Sequence, residues 1–301
     1  VSSGYATRLA ARAQLEPRRE PVAARRWRPG CPIGSKQQRD YIEQGYLVLD
    51  DLLDAREVSL LREAAGRMLA QPEELLPETL VREPGGRDVR SVFAVHVQHR
   101  LFASLCANAR LVDVASWLIG EEVYIHQSRL NYKPGFRGEP FYWHSDFETW
   151  HAEDGMPAMR ALSMSLLLEE NTACNGPLMV IPGSHRSFVP CVGETPESHY
   201  RESLRAQRYG VPDESVLEEL VRTHGIRELV GPPGTLIVFD CNLMHGSNGN
   251  ITPLPRANLF VVYNAASNRL GPPAAARRTR PEFLAARAAE PVRRRVGRLT
   301  S

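Results

Sequence analysis

Glu122-Val-Tyr-Ile-His-Gln-Ser-Arg-Leu-Asn-Tyr132 alternates with a period of two, which sets Val123, Ile125, Gln127, Arg129 and Asn131 on one face of an extended strand. Polar groups therefore share a face with core residues. The same holds in Ala161-Leu-Ser-Met-Ser-Leu-Leu-Leu168, where Ser163 and Ser165 accompany Leu167, and again for Arg256, Asn258, Phe260 and Val262. A strand that packs only on an apolar core does not look like this. A sandwich or barrel whose interior opens into a polar cavity does, because inward positions near its mouth carry ligand-binding groups. The pattern predicts a mainly β protein with flanking helices, built on a double-stranded β-helix (jelly roll, cupin-like) core.

Upstream of this β-rich half the texture is helical. Ser35 is expected to cap a short helix to about Glu43, ended by Gly45, with Tyr46-Leu-Val-Leu-Asp50 following as a strand. Asp54 and Glu57 form a capping-box pattern, and Val58, Leu60, Leu61, Ala64, Ala65 and Met68 follow at helical spacing up to Ala70. A further helix is predicted from Ala109 to Ile119, stopped by Gly120, and another from about Asp213 to Arg222. There are no repeats and no low-complexity linker, so residues 35–301 read as one domain preceded by a basic N-terminal arm, 1–34.

Composition bounds the function classes. With 301 residues, 43% hydrophobic and 24% charged, wholesale disorder is excluded. No apolar run nears the roughly 18 residues of a membrane span, so no membrane partner is expected. The five cysteines are scattered without a C-x-x-C pair, which argues against a disulfide framework or thiolate zinc site and for a reducing, cytoplasmic setting. The Arg- and Ala-rich start could mimic a transit peptide, but Glu16 and Glu20 interrupt it. The net charge of +2 is uneven: residues 1–30 hold seven Arg and two Glu, and residues 277–301 hold eight Arg and two Glu. Clustered arginines suit phosphates. Yet only Lys36 and Lys133 among the 37 basic residues are lysine, so a general preference for arginine and solvated ends explain them, and no nucleic-acid partner is expected.

The chemistry centres on His144-Ser-Asp146, since residues i and i+2 of an extended segment point the same way and can reach one metal. His151-Ala-Glu153 repeats the pattern, so the motif needs context. His245 follows the predicted strand Thr235-Leu-Ile-Val-Phe-Asp240, and Arg256 comes eleven residues later. Two histidines and one carboxylate on neighbouring barrel strands make a facial triad that leaves positions open on Fe(II) for a chelating cosubstrate and dioxygen. A buried arginine fork would then hold the distal carboxylate of 2-oxoglutarate. A zinc hydrolase also accepts such a donor set, and the arginine and jelly-roll pattern argue against it. His126 reads as a packed or surface histidine and His185 as a turn residue, while His96, His99, His199 and His224 have no partner spacing.

The segment Phe141-Tyr-Trp-His-Ser-Asp-Phe-Glu-Thr-Trp-His-Ala-Glu-Asp-Gly-Met-Pro-Ala-Met-Arg160 closely resembles the signature of ectoine hydroxylases, a branch of the phytanoyl-CoA dioxygenase-like enzymes. The likeness extends to Gln127-Ser-Arg-Leu-Asn-Tyr-Lys133, Asn175-Gly-Pro-Leu-Met-Val-Ile-Pro-Gly-Ser-His185, Phe239-Asp-Cys-Asn-Leu-Met-His-Gly-Ser-Asn248, Asn250-Ile-Thr-Pro253, Arg256-Ala-Asn-Leu-Phe260 and Arg280-Pro-Glu-Phe-Leu284. It implies hydroxylation of ectoine at carbon 5 with Fe(II), 2-oxoglutarate and O2. Position by position it makes His144, Asp146 and His245 the iron ligands. It makes Arg256, Asn131, Phe93 and Ser247 the 2-oxoglutarate contacts, and Gln127, Thr149, Trp150, Phe239, Asn258, Phe260 and Arg280 the ectoine contacts. It also implies a homodimer. Two rival classes share parts of this pattern: a hydroxylase of another small cyclic amino acid, and a non-catalytic ectoine-binding module, which would not need an intact triad.

Overall fold

The computed structural model describes residues 4–10, 14–50, 52–86, 88–197, 200, 204 and 209–300. A two-residue strand β1 (Glu16–Pro17) lies in the N-terminal arm. Helix α1 (Ser35–Gln44) is entered from Gly34, whose N–H donates to the Gln37 side chain at 2.6 Å, so Ser35 is the first helical residue and not the cap. Gly45 ends it at φ 84°, a left-handed stop that a side chain would strain. Strand β2 (Tyr46–Leu49) leads to α2 (Ala55–Ala70), whose capping box is present in both directions: Asp54 accepts from the Glu57 N–H at 2.9 Å and Glu57 from the Asp54 N–H at 3.0 Å.

The helical half also contributes two strands to the main sheet, β3 (Leu80–Arg82) and β4 (Val89–Phe93), and two short helices, α3 (Val95–Gln98) and α4 (Arg100–Cys106). None of these was anticipated, because pieces of three to seven residues carry too little period to be recognised. His99, without a partner by spacing, caps α4 by accepting from the Leu101 N–H. Helix α5 (Ala109–Ile119) keeps its expected bounds between the Asn108 cap and Gly120.

The remaining strands are β5 (Val123–Lys133), β6 (Phe141–His144), β7 (Ala161–Leu167), β8 (Leu178–Val180), β9 (Ser187–Phe188), β10 (Arg227–Leu229), β11 (Leu236–Asp240), β12 (His245–Ser247) and β13 (Arg256–Ala265). Helix α6 (Asp146–Thr149) follows β6, and α7 (Glu214–His224) runs two residues past Arg222. A seven-stranded sheet has the order β2-β11-β7-β13-β5-β4-β3 and a four-stranded sheet the order β10-β8-β12-β6, antiparallel throughout. Strands far apart in sequence are neighbours in both sheets, which is the jelly-roll core.

One face of the large sheet, with Leu162, Met164, Leu166, Leu236, Val238, Leu259, Val261 and Tyr263, packs against α1, α2, α4 and α5 in the largest apolar cluster. The other face lines the space between the sheets, where Leu167, Ile237, Phe239 and Phe260 meet Leu178, Val180, Leu229 and Leu243. The expected mixed face on β5 needs one correction. Val262 pairs with Gln127 but Tyr263 pairs with Ile125, so His126 is an extra residue and a bulge inverts the parity. Val123 and Ile125 therefore pack with the helices, while Gln127, Arg129 and Asn131 look inward.

Most arginines of the two ends are exposed, as solvated ends would have them, but Arg8, Arg18 and Arg280 are not. Arg18 is buried, donating to Asp240 at 2.7 Å and to the Met159 carbonyl at 2.8 Å, and Arg8 is buried against Glu148 and Glu153. The C-terminal stretch crosses the barrel mouth, where the Leu284 carbonyl accepts from Gln127, and ends with buried Leu299, whose N–H donates to Glu57 at 2.7 Å. Among the described residues no helix is long and apolar enough to cross a membrane.

Candidate active site

Strands β6 and β12 are neighbours, and their register places His245 directly opposite His144. Asp146 opens α6 two residues later, with Ser145 as cap. The Nε2 atoms of both histidines lie 3.9 Å from Asp146 Oδ1, and one donor atom from each residue lies within 4.8 Å of the others. Each ring is set by its far nitrogen: His144 Nδ1 meets the Tyr142 carbonyl at 2.7 Å and His245 Nδ1 the Leu243 carbonyl at 2.9 Å. A carbonyl accepts only, so Nδ1 carries the proton and Nε2 presents a lone pair inward.

Electrostatics keep these donors in ligand form. Burial, with His245 alongside, pushes His144 down to about 3, and burial lowers His245 as well. Burial alone would raise the Asp146 carboxyl, but His245, Arg129 and His144 outweigh it and hold the group below its ordinary value. Ser163 donates to Asp146 Oδ2 at 3.0 Å, which leaves Oδ1 facing the two imidazoles. His245 Nε2 is buried without a partner. Two neutral imidazoles and one oriented carboxylate oxygen fit a divalent iron with open positions.

Beside the triad lies a group of buried cations short of anions. Arg256 donates to the Gly176 carbonyl at 2.6 Å and to the Asn131 side chain, both neutral, and its Nε has no partner. Burial, with Arg90 and Arg129 nearby, lowers it to about 9. Its cross-strand neighbour Lys133 donates to the carbonyls of Glu139 and Asn248, and burial with Arg256 lowers it to about 6. Arg129 lies over Phe260 at 4.7 Å with Nε unpartnered. Such a group is built for an incoming anion, since a carboxylate would offset a desolvation cost already incurred. Asn131 is held by donating to Ser91 at 3.1 Å, Phe93 is buried, and Ser247 pairs in register with Phe141.

The open side of the triad is a cavity of about 50 Å³ whose lining includes Phe93, Gln127, Arg129, Thr149, Trp150 and Arg280. Thr149 Oγ1 is buried there without a partner. Trp150 begins a π-helical turn, Trp150–Asp154, and meets His126 edge-on at 5.0 Å. Arg280 gives Nε and Nη2 to Asp154 at 2.9 and 2.5 Å, which leaves Nη1 to meet a ligand. Phe239, Asn258 and Phe260 do not line this cavity: Phe239 and Phe260 belong to the apolar cluster between the sheets, and Asn258 is fully buried. Phe239 sits edge-on to His245 at 5.1 Å, and both amide atoms of Asn258 are buried and unpartnered. A larger cleft of about 730 Å³ lies beyond Gln127 and His126, but it contains none of the triad, so chemistry rather than size locates the site.

The second H-x-E pattern is structural. His151 sits between the carbonyls of Tyr5 and Met156, and Glu153 pairs with Arg8. His185 lies in a short 3-10 turn, buried, with Nε2 3.2 Å from the Ile42 carbonyl. His126 is buried and His199 lies outside the described residues. Two inward side chains went without an assigned role, Arg129 and Lys133. The alternation that places Gln127 and Asn131 inward includes both, and this was the signal that could have found them.

Residues 41–258 match the phytanoyl-CoA dioxygenase (PhyH) family. The chain is 58% identical to an ectoine dioxygenase of Sphingopyxis alaskensis, over 98% of this chain and 96% of that protein. The crystal structure of EctD from S. alaskensis with 2-oxoglutarate and 5-hydroxyectoine is similar at a TM-score of 0.91 and 54% identity, covering 98% of this chain and 99% of that one. The same protein with bound Fe is similar at a TM-score of 0.89 and 51% identity, covering 100% of both chains.

Proposed function

The chain belongs to the phytanoyl-CoA dioxygenase family, and from that premise we propose that it is an Fe(II)- and 2-oxoglutarate-dependent dioxygenase that converts ectoine to 5-hydroxyectoine. The observation that carries the reading is the convergence of a His-His-Asp donor set with a buried arginine that has no carboxylate partner. With iron, 2-oxoglutarate and O2 bound, the site has the chemistry to put one oxygen atom into a C–H bond while 2-oxoglutarate becomes succinate and carbon dioxide.

The chain's own residues do the rest. His144, Asp146 and His245 would hold the iron, with Ser163 keeping the carboxylate turned. Arg256 would grip the distal carboxylate of 2-oxoglutarate, supported by Asn131, Phe93 and Ser247, and Lys133 and Arg129 add charge that favours an anion. Ectoine is a compact cyclic amidinium that carries a carboxylate. Arg280 would take the carboxylate, and Gln127, Thr149 and Asn258 would supply polar contacts. Trp150, Phe239 and Phe260 would offer aromatic faces to the cation and keep water from the reacting centre.

The protein is further proposed to be a cytoplasmic homodimer that acts under osmotic stress, without membrane or nucleic-acid partners. The resemblance motivates the dimer, and the burial of Arg8 and Arg18 in ion pairs weakens a phosphate-binding role for the arm.

The decisive test loads the protein with Fe(II) under nitrogen, adds 2-oxoglutarate, ectoine and oxygen, and follows succinate and ectoine mass together. Succinate one for one with a product one oxygen heavier is the expected result. Succinate without altered ectoine would move the substrate to another cyclic amino acid, and no succinate would remove the enzymatic reading.

A further inference from the structure

The N-terminal arm meets the segment that carries the site at Tyr5, Thr7 and Arg8, and Arg8 makes its only ion pairs to it among the described residues. Arg8 donates from Nε to Glu148 Oε1 at 2.7 Å, and from Nη2 to Glu148 Oε2 at 3.0 Å and Glu153 Oε1 at 2.9 Å. Thr7 donates to the same Glu148 oxygen at 2.6 Å. The side chains of Arg8, Glu148 and Glu153 are no more than 3% exposed, so the cluster is shielded from water and depends on its own pairing. Arg8 holds φ at 55°, a conformation unfavourable for a residue with a side chain, and the surroundings impose it. Leu9 is bonded to Cys191 and Gly193, and Tyr5 packs on Phe147 and Phe188, so the arm is anchored on either side of Arg8.

The two carboxylates that Arg8 holds belong to the segment that carries the site. In α6, Asp146 and Thr149 are three apart and share the face toward the cavity, while Glu148 points back to the arm. Glu153 stands in the π-helical turn that Trp150 begins and itself lines the cavity, and its other oxygen is 3.5 Å from Arg280 Nε. Asp146 is also anchored by Ser163 and the β6 register, and Trp150 packs with Phe147, Met156 and His126, but the Thr149 hydroxyl has no hydrogen-bond partner of its own.

We propose that Arg8 is a positioning residue for the substrate side of the site: through Glu148 and Glu153 it sets Thr149, Trp150 and Arg280 for ectoine, so the N-terminal arm is part of the ectoine-binding apparatus. This rests on the ectoine dioxygenase reading above. Gly210 offers a second approach to the same junction. It lies at φ 68°, and a Cβ there would stand 2.6 Å from Glu148 Oε2, 2.8 Å from Arg8 Nη2 and 3.0 Å from Thr149 Oγ1. Gly210→Ala would disturb the junction without removing any charge.

The test compares wild type, Arg8→Ala, Arg8→Lys and Gly210→Ala as full chains. Ectoine and 2-oxoglutarate binding are measured by calorimetry on oxygen-free, Fe(II)-loaded protein, with iron content, thermal midpoint and the ratio of hydroxylated product to succinate. Arg8→Ala is expected to weaken ectoine on the order of 10- to 100-fold, as small displacements of positioning groups do. Its iron content and 2-oxoglutarate affinity should stay within about twofold of wild type, and less product should form per succinate. Arg8→Lys should recover part of the loss, since it keeps the charge but cannot fork between two carboxylates. Gly210→Ala should reproduce the ectoine defect. Unchanged ectoine affinity in Arg8→Ala, or equal weakening of both ligands, would overturn the proposal and leave Arg8 a structural stitch. Should Arg8→Ala fail to fold, wild-type ectoine affinity in both Arg8→Lys and Gly210→Ala would overturn it equally. Wild type that neither binds nor hydroxylates ectoine would defeat the functional reading itself, whereas active wild type with unaffected variants defeats the role of Arg8 alone.

Discussion

The two faces of β13 differ in what they lack. Outward, Ala257, Leu259, Val261, Tyr263 and Ala265 interlock with the helices, and the polar atom there, the Tyr263 hydroxyl, donates to the Cys106 carbonyl at 2.7 Å. Inward, Arg256 keeps an unpartnered Nε and Asn258, fully buried, has no partner for either amide atom. An unsatisfied buried polar group costs about 1–3 kcal/mol. The outer face therefore stabilises the fold, and the inner face leaves groups open to a ligand at Arg256 and Asn258, while Asn264 further along it is satisfied by Tyr124 and Asn268. One strand, alternating every residue, serves both.

Breaking the inner face at the metal has the largest expected effect. His245→Ala should lose iron and turnover together, read as iron retained after desalting and succinate released; normal iron with full activity would take His245 out of the donor set. Next comes Arg256→Ala, expected to cost about 2–5 kcal/mol in 2-oxoglutarate affinity by losing a buried carboxylate partner, with ectoine affinity little changed. Equal losses for both ligands would move Arg256 elsewhere. On the outer face, Leu259→Ala should lower unfolding free energy by about 2–5 kcal/mol, while the rate per folded molecule stays the same. Asn258→Leu sharpens the contrast: stability unchanged or raised by roughly 1 kcal/mol as two orphaned atoms disappear, but a higher ectoine requirement. A stability loss matching that of Leu259→Ala would erase the distinction between the faces.

The most gradual effect, and a negligible one at neutral pH, is the dependence on pH. Burial pushes His126 down to about 3 from an ordinary 6.5, so between those values the unfolded chain binds the proton that the folded ring refuses. Stability is then complete above about pH 6.5 and falls as pH drops toward 3, by up to about 1.4 kcal/mol per pH unit for one group. His126→Phe should flatten the slope of denaturation midpoint against pH in metal-free protein, and an unaltered slope would mean that His126 titrates normally.

The barrel and the His144–Asp146 half of the triad were readable because their signals are local, whereas His245 was singled out only by the strand it follows. His144 and Asp146 are two apart on an extended segment, and inward polar residues recur with period two on β5, β7 and β13. The β3 and β4 strands and the short helices α3 and α4 were not readable, being too short to show a period. The bulge at His126 was equally hidden: one extra residue leaves the alternation looking regular while turning Val123 and Ile125 to the other side.

What the sequence by itself determined is the alphabet of the site: which donor types are present, which strand positions share a face, and where Gly45, Asp54 and Gly120 start and stop helices, since each follows from backbone geometry within a few residues. Only the tertiary structure decided which distant groups meet. It set His245 across from His144, gave Arg256 neutral partners, and drew Arg8, Arg18 and Arg280 of the arginine-rich ends into buried ion pairs. The physical reason is that burial and pairing decide what a charge does, and both are properties of the folded chain rather than of any stretch of it.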